Sequence, residues 1–146
     1  AYHLEYEYFK EMDPDNIVKM IPNNKKSYRS YNTANSAKVV FCTFSTLGFE
    51  MFGVGKKVLF GASANNFDLA EEYDAKWNFE NLPSLVLLSE LKMDNISKKL
   101  KKLLYMEQED YLLATKESSK YYMNTTLESP PHKVIKKRIF SYLNNM

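Results

Sequence analysis

The chain has 146 residues, 45% hydrophobic and 26% charged, which fits one globular domain able to bury a core. Its 20 basic and 18 acidic residues leave a net charge of +2, too little to imply a field that recruits nucleic acid. The single cysteine excludes an internal disulfide, and no apolar run approaches the roughly 20 residues that span a bilayer.

Residues 2–12 are aromatic and charged and read equally as a strand end or a helix, stopped by Asp13-Pro14-Asp15-Asn16. Ile17-Val18-Lys19-Met20-Ile21, closed by Pro22, reads as a short strand. After the polar turn 22–26, Ser27 or Ser30 offers a cap for a helix running to about Asn35. Val39 to Thr43 is the strongest strand signal, nearly continuous and apolar, as in a parallel strand covered on both faces. Ser45 and Thr46 then offer a helix N-cap, with Leu47, Met51 and Val54 at helical spacing toward the sheet. Gly53 and Gly55 stop that helix, and Lys57-Val58-Leu59-Phe60 resumes as strand. Residues 61–82 read as irregular, and Leu85-Val86-Leu87-Leu88 as a further strand. Beyond Met93 the pattern turns helical, with an apolar stripe at Ile96, Leu100, Leu103 and Leu104. A second helix is expected over 107–123, and after Ser129-Pro130-Pro131 a last one marked by Ile135, Ile139 and Leu143. Strands alternating with helices predict an α/β fold, a three-layer Rossmann-like sandwich with a mostly parallel sheet and a helical C-terminal tail. Residues 1–146 are read as one domain.

All four glycines, Gly48, Gly53, Gly55 and Gly61, fall inside the strand–turn–helix–strand segment. Ligands of open α/β sheets sit beyond the carboxyl ends of strands, beside helix N-termini, so this segment is the expected site. The turn at Ser45-Thr46-Leu47-Gly48 would bring two hydroxyls and several unpaired amides to the positive end of a helix dipole, which suits a phosphate. Glu50, one turn further in, would accept hydrogen bonds from the two hydroxyls of a ribose. Gly48 would let a ligand or a neighbouring strand come close, and Gly61, Ala62 and Ser63 at the next strand end would form a second wall. Each feature also has a structural use: serine caps helices, a glutamate early in a helix suits the dipole, and glycines end helices. Gly48 within the helix fits that use least, since it costs about 1 kcal/mol against alanine unless something approaches there.

The run Ser45-Thr46-Leu47-Gly48-Phe49-Glu50, followed by Gly55-Lys56-Lys57-Val58-Leu59-Phe60, resembles the donor-binding segment of GT-B glycosyltransferases, in particular bacterial surface-polysaccharide transferases. The flanks resemble the same family over roughly residues 17–145, but only 39–60 is specific. The resemblance implies the C-terminal, nucleotide-sugar-binding half of a two-domain enzyme, and a chain opening at Ala1 is read as such an excised piece. Ser45 and Thr46 would match the phosphate-binding turn, Glu50 the ribose-binding acid, and the stretch after Ile21 and Pro22 the base-side wall. The glycan acceptor and any catalytic base would belong to the N-terminal half, so no catalytic residue is assigned. Many retaining members carry two glutamates eight positions apart; here those positions around Glu50 hold Cys42 and Val58.

No cofactor or metal is expected: His3, His132 and Cys42 do not have the spacing of a zinc site, and no acidic pair for magnesium stands out. The Lys98–Lys102 run reads as a solvated helix face, with peripheral membrane association as its functional alternative. The lone thiol suits a reducing compartment, so a cytoplasmic location is expected, at the inner face of the membrane if polysaccharide is assembled there. A non-catalytic flavodoxin-like interaction module and a sugar-nucleotide epimerase half-domain are the alternatives.

Overall fold

The computed structural model describes residues 2–15, 17–19, 21, 29–43, 45–61, 79–88, 90–123 and 131–144, with the side chains of residues 2–6, 131 and 132 outside the description. These residues form two compact units, 1–33 and 34–146, and six helices with one two-stranded parallel sheet: an α/β protein.

In the first unit, the stretch 2–12 resolves to helix, α1 (Tyr2–Met12). Asp13 ends it. Its amide donates to the Phe9 carbonyl at 3.1 Å, while its carboxylate accepts from the amides of Ile17 at 2.9 Å and Val18 at 2.6 Å. The strand expected at 17–21 does not form: Ile17, Lys19 and Ile21 are irregular, and Ile17 is 81% exposed. The cause is local, because a short carboxylate that captures backbone amides removes them from any ladder.

Helix α2 (Arg29–Ser36) runs across the boundary between the units. It has Ser30 within its first turn rather than at its cap, and its Ala34 is buried. The second unit then builds a βαβ element from β1 (Val40–Cys42), α3 (Thr46–Gly53) and β2 (Val58–Phe60). The strands pair in parallel with Val40 opposite Val58, Phe41 opposite Leu59 and Cys42 opposite Phe60. All three β2 side chains are fully buried, as a central parallel strand requires. On its other edge β2 meets Leu87 in an isolated parallel bridge, with Phe60 N–H donating to Val86 O and Leu88 N–H to Phe60 O. The strand expected over 85–88 is thus reduced to one bridge, because Val86 N–H turns back onto Pro83 O at 2.9 Å. That turn spends the segment's first residues.

Helix α3 closes with a Schellman pattern. Gly55 N–H donates to Phe52 O at 3.0 Å and Lys56 N–H to Met51 O at 2.9 Å, with Gly55 at φ +82°. Its buried face is Gly48, Met51 and Phe52 rather than the expected Leu47, Met51 and Val54, since Leu47 and Val54 are only half-buried. Phe49, Phe52, Phe60, Phe79 and Tyr122 meet in an aromatic cluster, the closest pair being Phe49 and Phe60 at 4.8 Å between ring centres.

Helices α4 (Met93–Tyr105) and α5 (Gln108–Tyr122) flank this core, and α6 (Pro131–Leu143) follows. Leu103 of α4 is fully buried and Leu104 is 44% exposed. Lys99 departs from the solvated lysine face expected for α4. Its ammonium donates to the carbonyls of Ser84 and Leu87, and burial, seconded by nearby Lys102, lowers its pKa. From α5, the buried Tyr111 reaches the start of β2: its hydroxyl donates to Lys56 O at 2.9 Å and accepts from Val58 N–H at 3.2 Å. Gln108 Nε2 holds Gly55 O at 2.8 Å beside it, and Lys57 donates from its ammonium to Met106 O.

Candidate functional site

Three chain segments run parallel and end on one side of the second unit: β1 at Cys42, β2 at Phe60, and the bridge segment at Leu87 and Leu88. Strand β1 leads directly into the strand-to-helix turn. Ser45, at φ −154° and ψ 132°, is the N-cap of α3, and its Oγ accepts from Leu47 N–H at 3.3 Å. Thr43, Ser45 and Thr46 are all exposed. Beneath the turn, the buried Cys42 thiol donates to Ser45 O at 3.6 Å. Burial raises the thiol's pKa above its ordinary value, offset in part by its backbone contacts with Gly48 and Ser45.

Gly48 is the point of closest approach. A Cβ there would lie 2.6 Å from Cys42 Sγ, 2.9 Å from Cys42 Cβ and 3.2 Å from Phe60 Cε1. The neighbour that requires glycine is therefore the sheet itself, not a ligand. The turn is assembled from below by Cys42 and Gly48 and presents its hydroxyls above.

The N-terminal amides are fewer than the sequence suggests. Leu47 N–H is engaged by Ser45 Oγ, and Gly48 N–H reaches Ser45 O at 3.1 Å. The helix gives no acceptor to the amides of Ser45 and Thr46, and two hydroxyls stand beside them. Glu50 lies four residues beyond Thr46, one turn along the same helix face. It is half-buried and partnered within the protein.

Of the expected second wall, Gly61 lies among the described residues. Gly61 is buried, its amide donates to Cys42 O at 2.8 Å, and a Cβ on it would meet Phe41 Cζ at 2.9 Å and Leu91 Cδ2 at 3.0 Å. Among the described residues beside it, Phe41 is 44% and Leu91 39% exposed. Phe41 was missed because it sits inside the strongest strand run, where an apolar residue signals core; only its alternation with buried Cys42 marks it as facing outward. Ala62, Ser63 and Pro22 lie outside the described residues, and Ile21, 42% exposed, belongs to the first unit. Among the described residues no three His, Cys, Asp or Glu side chains gather as a metal centre would need.

Ser45→Ala tests the cap. Loss of the Oγ acceptor for Leu47 N–H should lower stability by about 1 kcal/mol, read from the urea midpoint. An unchanged midpoint would show that the 3.3 Å bond contributes nothing.

Compared with known proteins, the chain matches no family model, no curated protein and no solved structure.

Proposed function

We propose that this chain is the nucleotide-sugar-binding domain, Rossmann-like in plan, of a GT-B type glycosyltransferase that builds a surface polysaccharide. The observation that carries the reading is the exposed, hydroxyl-bearing N-cap turn at the carboxyl end of a parallel strand, with Glu50 one helical turn behind it. The donor's phosphates would lie on Ser45 and Thr46, taking hydrogen bonds from their hydroxyls and from the amides the helix leaves unused. Glu50 would receive the ribose hydroxyls.

Charge grows on the terminal phosphoryl oxygens as the glycosidic bond to the leaving nucleotide breaks. Donors already fixed by the cap stabilise that growing charge more than the smaller charge on the same oxygens in the intact donor, and a difference of this kind lowers the barrier. The acceptor glycan and the base that activates it are assigned to a separate domain. On this reading the chain alone binds donor nucleotide but transfers no sugar, and it works at the cytoplasmic side of a membrane.

A thermal-shift series with UDP, GDP, CMP and dTDP tests the reading, because a ligand bound only by the folded state raises the Tm. At least one should do so. Thr46→Val should then weaken binding by about 1.5–3 kcal/mol, the range for a hydrogen bond to a charged group, with the Tm of the free protein nearly unchanged. Glu50→Ala should weaken it through the ribose. Failure of every nucleotide to raise the Tm would leave the turn as a packing device and favour a non-catalytic interaction module.

A further inference from the structure

Helix α6 (Pro131–Leu143) carries Lys133, Lys136, Lys137 and Arg138 and no acidic residue in 13 positions. Among the described residues no other helix or strand packs extensively against it. At 100° per residue, Ile135, Ile139, Tyr142 and Leu143 fall within a sector of about 100° that His132 shares and that leaves Phe140 outside. All four are exposed, from 54% at Ile139 to 70% at Tyr142. Lys136 and Arg138 flank that sector on either side, and Lys133 and Lys137 lie opposite it. The Lys136 ammonium sits 5.8 Å from the centre of the Phe140 ring.

We infer that α6 is a membrane-docking helix that lies flat on an anionic lipid surface. Its apolar sector enters the boundary between headgroups and acyl chains while the flanking cations reach the lipid phosphates. Two features match an interfacial helix: lysine and arginine border the exposed apolar residues, and the apolar length is too short to cross. No helix among the described residues is long and apolar enough to span a membrane. The charge also argues against a second copy as the occupant. Two such helices packed through this sector about a two-fold axis would bring Lys136 and Arg138 of each copy together with no carboxylate on either helix to offset them. An anionic surface complements both cations that flank the sector. This docking does not depend on nucleotide binding.

Cosedimentation of the full chain with vesicles tests it. Binding is expected to vesicles of 70% phosphatidylcholine and 30% phosphatidylglycerol, and not to phosphatidylcholine alone. Each cation near an anionic surface contributes about a fivefold factor, so Lys136→Ala with Arg138→Ala should weaken binding about 25-fold. Ile135→Asp with Ile139→Asp should abolish it; because both side chains are exposed, the circular dichroism spectrum and Tm should hold. Should the aspartates disturb the fold, the alanine pair still decides the matter. Three results would overturn the proposal. One is failure of the parent chain to sediment with anionic vesicles, and another is equal binding by the parent and the α6 variants. The third is a dimer in analytical ultracentrifugation that Ile139→Asp disperses, which would give the face to a second copy.

Discussion

Gly48→Ala is expected to destabilise the protein by about 3 kcal/mol, although alanine is the better helix former by about 1 kcal/mol. The new Cβ would stand 2.6 Å from Cys42 Sγ and 2.9 Å from Cys42 Cβ, both inside the distance real carbon atoms tolerate. Neither neighbour can easily withdraw. Cys42 sits in the ladder, with its carbonyl accepting from Gly61 N–H, and Phe60, 3.2 Å from the same point, is fully buried in the central strand. Helix α3 must therefore move off the sheet, which opens the contact that Phe49 and Phe52 make with Phe60. Urea denaturation should show the loss as a lower midpoint. Cys42→Ala removes the 2.6 Å clash and leaves the 2.9 Å one, so the double variant should recover only part of the loss, with a coupling of about 1 kcal/mol. The same shift tilts the Ser45-Thr46 turn, so Gly48→Ala should lose stability and nucleotide binding together, whereas Thr46→Val should lose binding alone. A neutral or stabilising Gly48→Ala would mean that helix and strand are not in contact at this point.

The contrast between these two substitutions shows which parts of the molecule local sequence could specify. The β1–α3–β2 element was legible because three local signals agree within 20 or so residues: an apolar strand run, a serine cap and glycine at the helix end. The cap fell on Ser45 and the C-terminal stop on Gly55, as their side-chain chemistry requires. Helix α4 was legible from the periodicity of its apolar stripe, and α5 falls within the expected 107–123.

The misreadings share another cause. Ile17 to Ile21 looks like a strand until Asp13 takes two of its amides, and 85–88 until Pro83 turns the chain at Val86. In both, a hydrogen bond begun a few residues upstream overrode propensity. At the site, hydroxyls and carboxylate were visible as residue types. The engaged amides of Leu47 and Gly48, the burial of Gly61 and the exposed Phe41 depend on how the turn packs, which no spacing encodes. Lys99 likewise read as one more cation in a basic run, yet it holds the carbonyls of Ser84 and Leu87.

Tyr111 carries the second large effect, and its partners lie more than fifty residues away in the chain. Tyr111→Phe keeps the ring and its volume, so no cavity opens and the change isolates two hydrogen bonds. Lys56 O loses a donor at 2.9 Å and the buried Val58 loses an acceptor for its N–H at 3.2 Å, at the point where β2 begins. Unpaired buried backbone groups cost about 1–3 kcal/mol each, so a total near 3 kcal/mol is expected, read from chemical denaturation at neutral pH. The same hydroxyl gives an alkaline signature. Burial pushes Tyr111 up to about 12, opposed only in part by the hydrogen bond from Val58. In the unfolded chain a tyrosine ionises near 10. Between those values the folded state holds a proton that the unfolded state has released, so stability is full below about pH 10 and falls as pH rises toward about 12, by up to about 1.4 kcal/mol per unit. Tyr122, also raised chiefly by burial, adds to the fall in the same sense, so the parent must be compared with the variant rather than read alone. Tyr111→Phe should be less stable at pH 8 and show a shallower decline above pH 10. Equal slopes in the two proteins would mean that the Tyr111 hydroxyl reaches water, and that α5 does not anchor the strand from which the proposed site is built.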